Sequence, residues 1–463
     1  MTLLLLSCGG GDVDDGNERS GRARALDASP PAAFFPNVPI PNDANTRGMW
    51  SPVYTWPGVA VHTVVLPDGR VLTYGSTAAG QAGASSYDIW DSTVAPDAGH
   101  MTLPNTTGVD LFCSSNVLLP AESAGSPATV FIAGGDIQAS STPNQNSTTL
   151  DVNSNSLVRR SDLQRPRWYS TSTTLINGET YIQGGTGGTD RPEVRSLTGT
   201  HRLLSGADTS GFDFWYPRNF VAPDGRVFGY DSFGQMYYID TAGSGGVALA
   251  GQFNANYAGL TGSAAMFRPG RILQLGGNSS AAQVIDISGA GSPVLTPTQS
   301  LSSQRQWVNA TILADGKVLA TGGSQNDTQN GANPVGPNNK AEIWDPISGQ
   351  WMQGPSAVKD RLYHSNAVLL PDASVLIAGG GAAGTPQWPL QLNAEIYYPP
   401  YFFAAGGQRA SRPIIATAPS WIDIGTVLPV TVANASSVSR VTLVKTGATT
   451  HSFNMDQRFL ELI

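Results

Sequence analysis

Hydrophobic and polar residues alternate along this chain in short bursts, and each burst breaks at a turn. Paired apolar runs divided by Pro-Asp-Gly, Asn-Gly, Asp-Gly or a similar turn recur seven times. They are VVLPDGRVLTYG (64–75), NVLLPAESAGSPATVFIAGG (116–135), TTLINGETYIQGG (173–185), FVAPDGRVFGY (220–230), AAMFRPGRILQLGG (264–277), ATILADGKVLATGG (310–323) and AVLLPDASVLIAGG (367–380). Such turns between alternating runs predict strand–turn–strand hairpins. Several hairpins are followed by one more short apolar segment: YDIWD (87–91), MYYIDT (236–241), AQVIDI (282–287), AEIWDP (341–346) and AEIYYP (394–399). Each reads as a third strand.

The hairpins recur at roughly 45 to 60 residues, the spacing of kelch-type propeller blades. Trp351, six residues after Asp345 in DPISGQW, completes a kelch-like pattern. A lone blade exposes an apolar face; closing a ring of blades buries those faces and protects the strand edges. The pattern therefore predicts an all-β chain with a seven-bladed kelch-type β-propeller over residues 46–405. From Arg412 the repeat stops. RPIIATAPSWIDIGTVLPVTV and RVTLVKTGATTHSFNMDQR read as short strands of an immunoglobulin-like, early-set β-sandwich over residues 410–463. About seven strands are expected in such a domain and about four fit before Ile463, so the expectation is a truncated sandwich.

Composition agrees with strands and turns. Charged residues make up 13 %, while Gly (53) and Pro (32) are abundant, which disfavours long solvated helices. The net charge of −8 comes from scattered acids, with no basic patch, and this argues against a nucleic-acid partner. Residues 1–45 read as an export segment and flexible tether. Leu3 to Leu6 followed by Ser7-Cys8-Gly9-Gly10 is similar to a bacterial lipoprotein signal, in which Cys8 would carry a lipid anchor. Export leaves Cys113 as an odd thiol in an oxidising compartment, and such a thiol calls for an explanation.

The candidate chemistry is sparse. No HExxH, CxxC, phosphate-loop or Gly-x-Ser-x-Gly pattern is present among the five histidines and two cysteines. Position within the repeat is more informative. Fifteen residues before the first Gly of the closing pair stand Tyr169 in one repeat and His364 in another, with Tyr363 just before it. Equivalent repeat positions face one central region of a propeller, so phenol and imidazole groups are expected together. Nitrogen and oxygen donors in a tetragonal arrangement suit Cu(II). The same count gives Trp307 and Phe214, read here as core aromatics of their blades.

Four segments in order, DLFCSS (110–115), RPRWYSTS (165–172), RLYHSNAVLLPD (361–372) and THSFNMDQR (450–458), resemble the copper radical oxidases, the galactose oxidase and glyoxal oxidase family. The resemblance runs from about Gly48 to Ile463. It implies a seven-bladed propeller whose pore receives a hairpin from an immunoglobulin-like domain. It implies one copper ion held by Tyr169, Tyr363, His364 and His451, and a Cys113–Tyr169 thioether carrying a tyrosyl radical. Tyr363 would be the axial ligand and base. The implied activity is oxidation of a primary alcohol or small aldehyde by O2, with release of hydrogen peroxide, by an exported monomer. Gly187 stands where galactose oxidase carries a Trp stacked over the cross-linked Tyr, which points to small aldehydes or simple alcohols over galactose. Trp215 or Trp388 is a candidate to cover the Tyr169 ring from another blade. Arg218 in WYPRNF is a candidate for a substrate-binding arginine. The competing reading is a non-catalytic propeller that binds glycans or proteins at the cell surface; retention of a phenol–thiol pair argues against it.

Overall fold

A computed structural model describes residues 34–462 apart from 77–81, 122–127, 138–139, 290, 382–388, 420–421, 424 and 434. Cys8 with its leader-like segment, and Trp388, lie outside the described residues.

Each of the seven predicted hairpins forms the two innermost strands of an antiparallel sheet, and the seven sheets are the blades of a propeller. The innermost strands are Val59–Val65, Ser115–Leu118, Trp168–Thr174, Arg218–Val221, Ser263–Arg268, Asn309–Ile312 and Ser365–Leu369. Burial falls from the axis outward. Val59–Val65 is buried at every residue, whereas the fourth strand of the fourth blade, Gly246–Gln252, has no buried residue. Neighbouring blades cover both faces of an inner strand, which is why these strands are apolar or carry hydroxyls without strict alternation.

The seventh blade is closed by the other end of the ring. Its inner strands are Ser365–Leu369, Val375–Gly379 and Asn393–Tyr398, and the outer strand is Met49–Trp50, with Met49 opposite Tyr398 and Trp50 opposite Tyr397. Gly48 leads into this strand with φ +71 and lies against the Tyr397 ring, where a side chain would collide.

Three blades share a buried clamp. Arg167, Arg305 and Arg361 pair with Glu193, Glu342 and Glu395 of the third strand at 2.8, 2.7 and 3.3 Å. Each arginine also donates to the carbonyl of the first Gly of its blade, Gly184, Gly322 or Gly379. An arginine buried this deeply needs a carboxylate and several acceptors, and each clamp supplies both. It ties the approach to the inner strand to the rest of the blade.

Beyond the ring, Ile415–Thr417 pairs with Thr431–Val432, and Val441–Lys445 with Arg458–Leu462, as two two-stranded ladders of the early-set unit. Between the latter two strands a hairpin, Ala448–Thr450 and Phe453–Asn454, leaves the ladder and adds to the inner edge of the first blade. His62 lies opposite Thr450, and Thr63 opposite Thr449.

Candidate metal centre

The residues that lead into the inner strands form a ring of unusual backbone. Cys113, Tyr169, Tyr216, Trp307 and His364 all have positive φ, at 57, 72, 38, 64 and 69°. Such values are uncommon outside glycine, and they recur here because one turn is used in five blades. Pairing sets the equivalence: Ser170 lies opposite Gly184 and Ser365 opposite Gly379, so Tyr169 and His364 each sit one residue before the position facing the first Gly. Backbone bonds join successive blades at this level. The Tyr169 amide donates to the Cys113 carbonyl at 3.0 Å, Tyr216 to Tyr169 at 2.8 Å and Trp307 to Thr261 at 2.9 Å.

In the fourth blade the expected counterpart is corrected. Arg218 lies opposite Tyr230, so Asp231 takes the place of the first Gly and Tyr216 is the residue at the ring. Phe214 is partly exposed and stacks on Trp215 at 5.2 Å. Counting from Gly229 gives Phe214 because this blade lacks a Gly pair. Trp307 is buried, as expected of a core aromatic, but it packs on Tyr363 at 4.6 Å and donates through Nε1 to Asp327 at 2.6 Å.

The structure brings all five predicted site residues together. The Tyr169 and Tyr363 hydroxyl oxygens are 2.8 Å apart. Cys113 Sγ and His451 Nε2 are 3.5 Å apart, and the ligand atoms of Cys113, His364 and His451 lie within 4.8 Å of one another. All five side chains are buried. His451 arrives on the hairpin, itself at φ 46°. Asp456 and Gln457 pin the chain just beyond that hairpin. The Leu118 amide donates to Asp456 at 2.8 Å, and Gln457 exchanges two bonds with the Ile312 backbone at 2.8 and 2.9 Å. Lys445 pairs with Asp456 at 2.5 Å.

Hydrogen bonds select the ring nitrogen each histidine offers. Thr450 donates its hydroxyl to the Val61 carbonyl at 2.9 Å, so its oxygen accepts from His451 Nδ1 at 2.6 Å. His364 Nδ1 donates to the Gly381 carbonyl at 3.1 Å. In both rings the proton sits on Nδ1 and the Nε2 lone pair faces the cluster, the arrangement found in metal-bound imidazoles. His364 Nε2 is buried without a partner. Burial brings His364 down to about 3, and it lowers His451 strongly, with a further push from His364. Both are neutral donors. Burial also raises the phenols of Tyr169 and Tyr363, as does the neighbouring Cys113. A buried dication reverses that last effect by favouring the phenolate. An orphaned imidazole nitrogen, a second neutral imidazole and two phenol oxygens make a donor set that fits copper.

Two other candidates separate. Trp215 lies over the Tyr169 ring, with centroids 4.2 Å apart at 39°. At Gly187 a Cβ would stand 2.9 Å from the Pro166 carbonyl at φ +90, so no larger side chain fits there in this backbone. Arg218 is corrected as a substrate contact. It is buried and donates to the carbonyls of Tyr216, Leu260 and Gly262, so its role is to join the fourth and fifth blades. Sequence reasoning missed Tyr216, the Arg–Glu clamps and the Asp456–Gln457 pins. The clamps had a legible sign, Arg-x-aromatic or Arg-x-Tyr-His before the hairpin and Glu-Val or Glu-Ile after it.

Known proteins resemble this chain in sequence and in fold. Residues 412–463 match a family described as galactose oxidase-like, early set domain. The chain is 27 % identical to a galactose oxidase of Gibberella zeae, over 90 % of this chain and 64 % of that protein. It is 24 % identical to the aldehyde oxidase GLOX of Vitis pseudoreticulata, over 90 % of this chain and 88 % of that one. The chain thus spans under two thirds of the length of the galactose oxidase it matches. Among solved structures it is similar to a fungal alcohol oxidase of the AA5 family in complex with copper, at TM-score 0.79 and 23 % identity, covering 90 % of both chains. No helix among the described residues is long and apolar enough to cross a membrane.

Proposed function

This chain belongs to the copper radical oxidase family, and from that premise we propose that it oxidises a primary alcohol or small aldehyde with dioxygen and releases hydrogen peroxide. The observation that carries the reading is the convergence of two phenol oxygens, 2.8 Å apart, with two Nε2 lone pairs and a thiol. Tyr169, Tyr363, His364 and His451 would hold the metal. Copper when bound supplies a one-electron couple and polarises the substrate hydroxyl.

The residues supply the rest. Removing a hydride equivalent takes two electrons, so a second one-electron site is needed. Tyr169, joined through its ring to Cys113 sulfur, is that site; the thioether lowers the potential of the ring. Tyr363 takes the hydroxyl proton as general base. The Tyr169 oxygen takes hydrogen from the substrate carbon. Trp215 covers the ring and keeps water from it, a part supported by their 4.2 Å contact. The absence of a side chain at Gly187 supports a small substrate. We further propose that the protein is an exported monomer, with Cys8 as its lipid anchor and no nucleic-acid partner.

Intact mass is the direct test. Copper loading in air should remove two hydrogens as the thioether forms, and a peroxide-coupled screen should then find turnover on small aldehydes or primary alcohols. A mass that retains the free thiol, with no peroxide from any substrate, would sink the oxidase reading in favour of a binding propeller. Cys113→Ser should abolish the radical absorption while leaving copper bound.

A further inference from the structure

Cys113 differs from three of its counterparts around the ring in how its backbone is held. Tyr169, Tyr216 and Trp307 each donate their amide to a carbonyl one blade back. The Cys113 amide instead donates to a side chain, His62 Nε2, at 3.1 Å. His62 lies in the inner strand of the first blade and is fully buried. Its ring stacks on Tyr74, with centroids 4.4 Å apart and planes within 6°. Asn116 stands 3.2 Å from His62 Nδ1 and 3.0 Å from the Tyr74 hydroxyl, which reaches Ser114 at 3.2 Å. Burial lowers His62 well below its usual range, so the imidazole is neutral and carries one proton. With Nε2 accepting from Cys113, that proton is on Nδ1. The Asn116 amide then turns its oxygen, otherwise without a partner, toward His62 and Tyr74. The imidazole is thereby held by stacking on one face and by a hydrogen bond at its far nitrogen.

We propose that His62 is a positioning residue for the thioether: it stands in for the missing backbone carbonyl, holds Cys113 at φ 57° and so presents Sγ to the Tyr169 ring. The same strand residue pairs with Thr450, the neighbour of His451, so one residue meets the thiol's turn through its side chain and the hairpin through its backbone. A left-handed residue other than glycine persists only where its surroundings hold it there. Without the acceptor, a buried amide is unsatisfied and the turn relaxes toward ordinary backbone. Thioether formation breaks the Cys113 S–H bond and one Tyr169 ring C–H bond and makes one S–C bond. Two electrons and two protons pass to dioxygen, which leaves as hydrogen peroxide. Its rate depends on how often sulfur sits against the ring carbon, and that fraction is what His62 sets.

This inference rests on the cross-link proposed above, and the test separates the two. Full-length protein is purified without copper and loaded with copper in air, and the loss of two hydrogens is followed by intact mass. His62→Phe keeps the stacking ring and removes the acceptor; it should slow the loss at least about tenfold, while copper still binds by electron paramagnetic resonance. His62→Gln restores an acceptor near the Nε2 position and should recover a rate within about threefold of wild type. Should His62→Phe fail to fold, Asn116→Ala carries the test, since it frees the far side of the imidazole and should slow the loss severalfold. Wild-type rates in whichever of His62→Phe or Asn116→Ala carries the test would overturn the proposal. A wild-type chain that never loses two hydrogens would overturn the cross-link reading and this inference with it.

Discussion

The third and seventh blades start from the same parts and deliver different side chains to the candidate site. Each has an arginine clamped to a glutamate and to the first Gly of its hairpin. In the third blade two residues, Trp168 and Tyr169, separate the clamp from the position facing that Gly. In the seventh there are three: Leu362, Tyr363 and His364. The clamp and the ladder are both fixed, so the extra residue has to be taken up in the turn between them. The result is one site side chain from the third blade and two adjacent ones from the seventh, with the Tyr363 and His364 rings 3.7 Å apart. A single added residue in a repeat converts a one-donor blade into a two-donor blade without disturbing the sheet behind it.

The largest expected effect comes from exchanging the two phenols' roles for nothing. Tyr169→Phe should reduce turnover to background and leave no thioether. Tyr363→Phe should lower kcat by about 10²–10⁴, the usual worth of a positioned acid–base group, while the mass loss of two hydrogens persists. Steady-state kinetics with intact mass checks both; equal behaviour of the two variants would break the distinction between the blades. Deleting His364 gives the seventh blade the length of the third. The ring should still fold, and copper affinity should fall by more than the roughly 10–100-fold cost of an outer-shell change, as read by competition with a chelator. A deleted chain that binds copper normally would show that the added residue is not what makes the site.

Arg167→Met and Arg361→Met leave buried glutamates without their cation. Each should cost about 3–5 kcal/mol, seen as similar drops in denaturation midpoint; a small loss in one alone would show that the clamps are not equivalent. The smallest effect is with pH. Burial pushes Glu193 up, but Arg167 and its hydrogen-bond donors overcome this and hold it at about 2, against an ordinary 4.5. Its stabilisation is complete above about pH 4.5 and is lost as pH falls through about 2, with a slope of at most about 1.4 kcal/mol per pH unit. Glu193→Gln should flatten that part of the acid unfolding curve; an unchanged slope would place the acid sensitivity elsewhere.

The seven hairpins were legible because their turns need particular residues and their inner strands are buried throughout. Third strands were legible where Glu-Ile or Val-Ile recurs. The fourth strands were not: Gly246–Gln252 and Val294–Thr298 are largely exposed and carry little apolar pattern. The closing strand is two residues long, and its register is set by a partner near the far end of the ring. Counting fifteen residues from the Gly pair found Tyr169, Trp307 and His364 because those hairpins share one length. It missed Tyr216 because Asp231 stands in place of the Gly. Arg218 looked like a ligand contact because a motif does not reveal direction; in the fold its donors are spent on three carbonyls. His451 lies outside any repeat, and only a resemblance, not a period, could attach it to the site.

The strand Met49–Trp50 has a consequence for how the protein is made. It is made before any of the blades, and its partner Asn393–Tyr398 is made after six of them; closing so long a loop costs only slowly more than closing a short one. The sheet it completes is the one that carries Tyr363 and His364, and His451 is made later still. A nascent chain therefore exposes Cys113 and Tyr169 with neither imidazole in place. The segments that build the proposed centre are therefore all present only after the partner of the closing strand has been made.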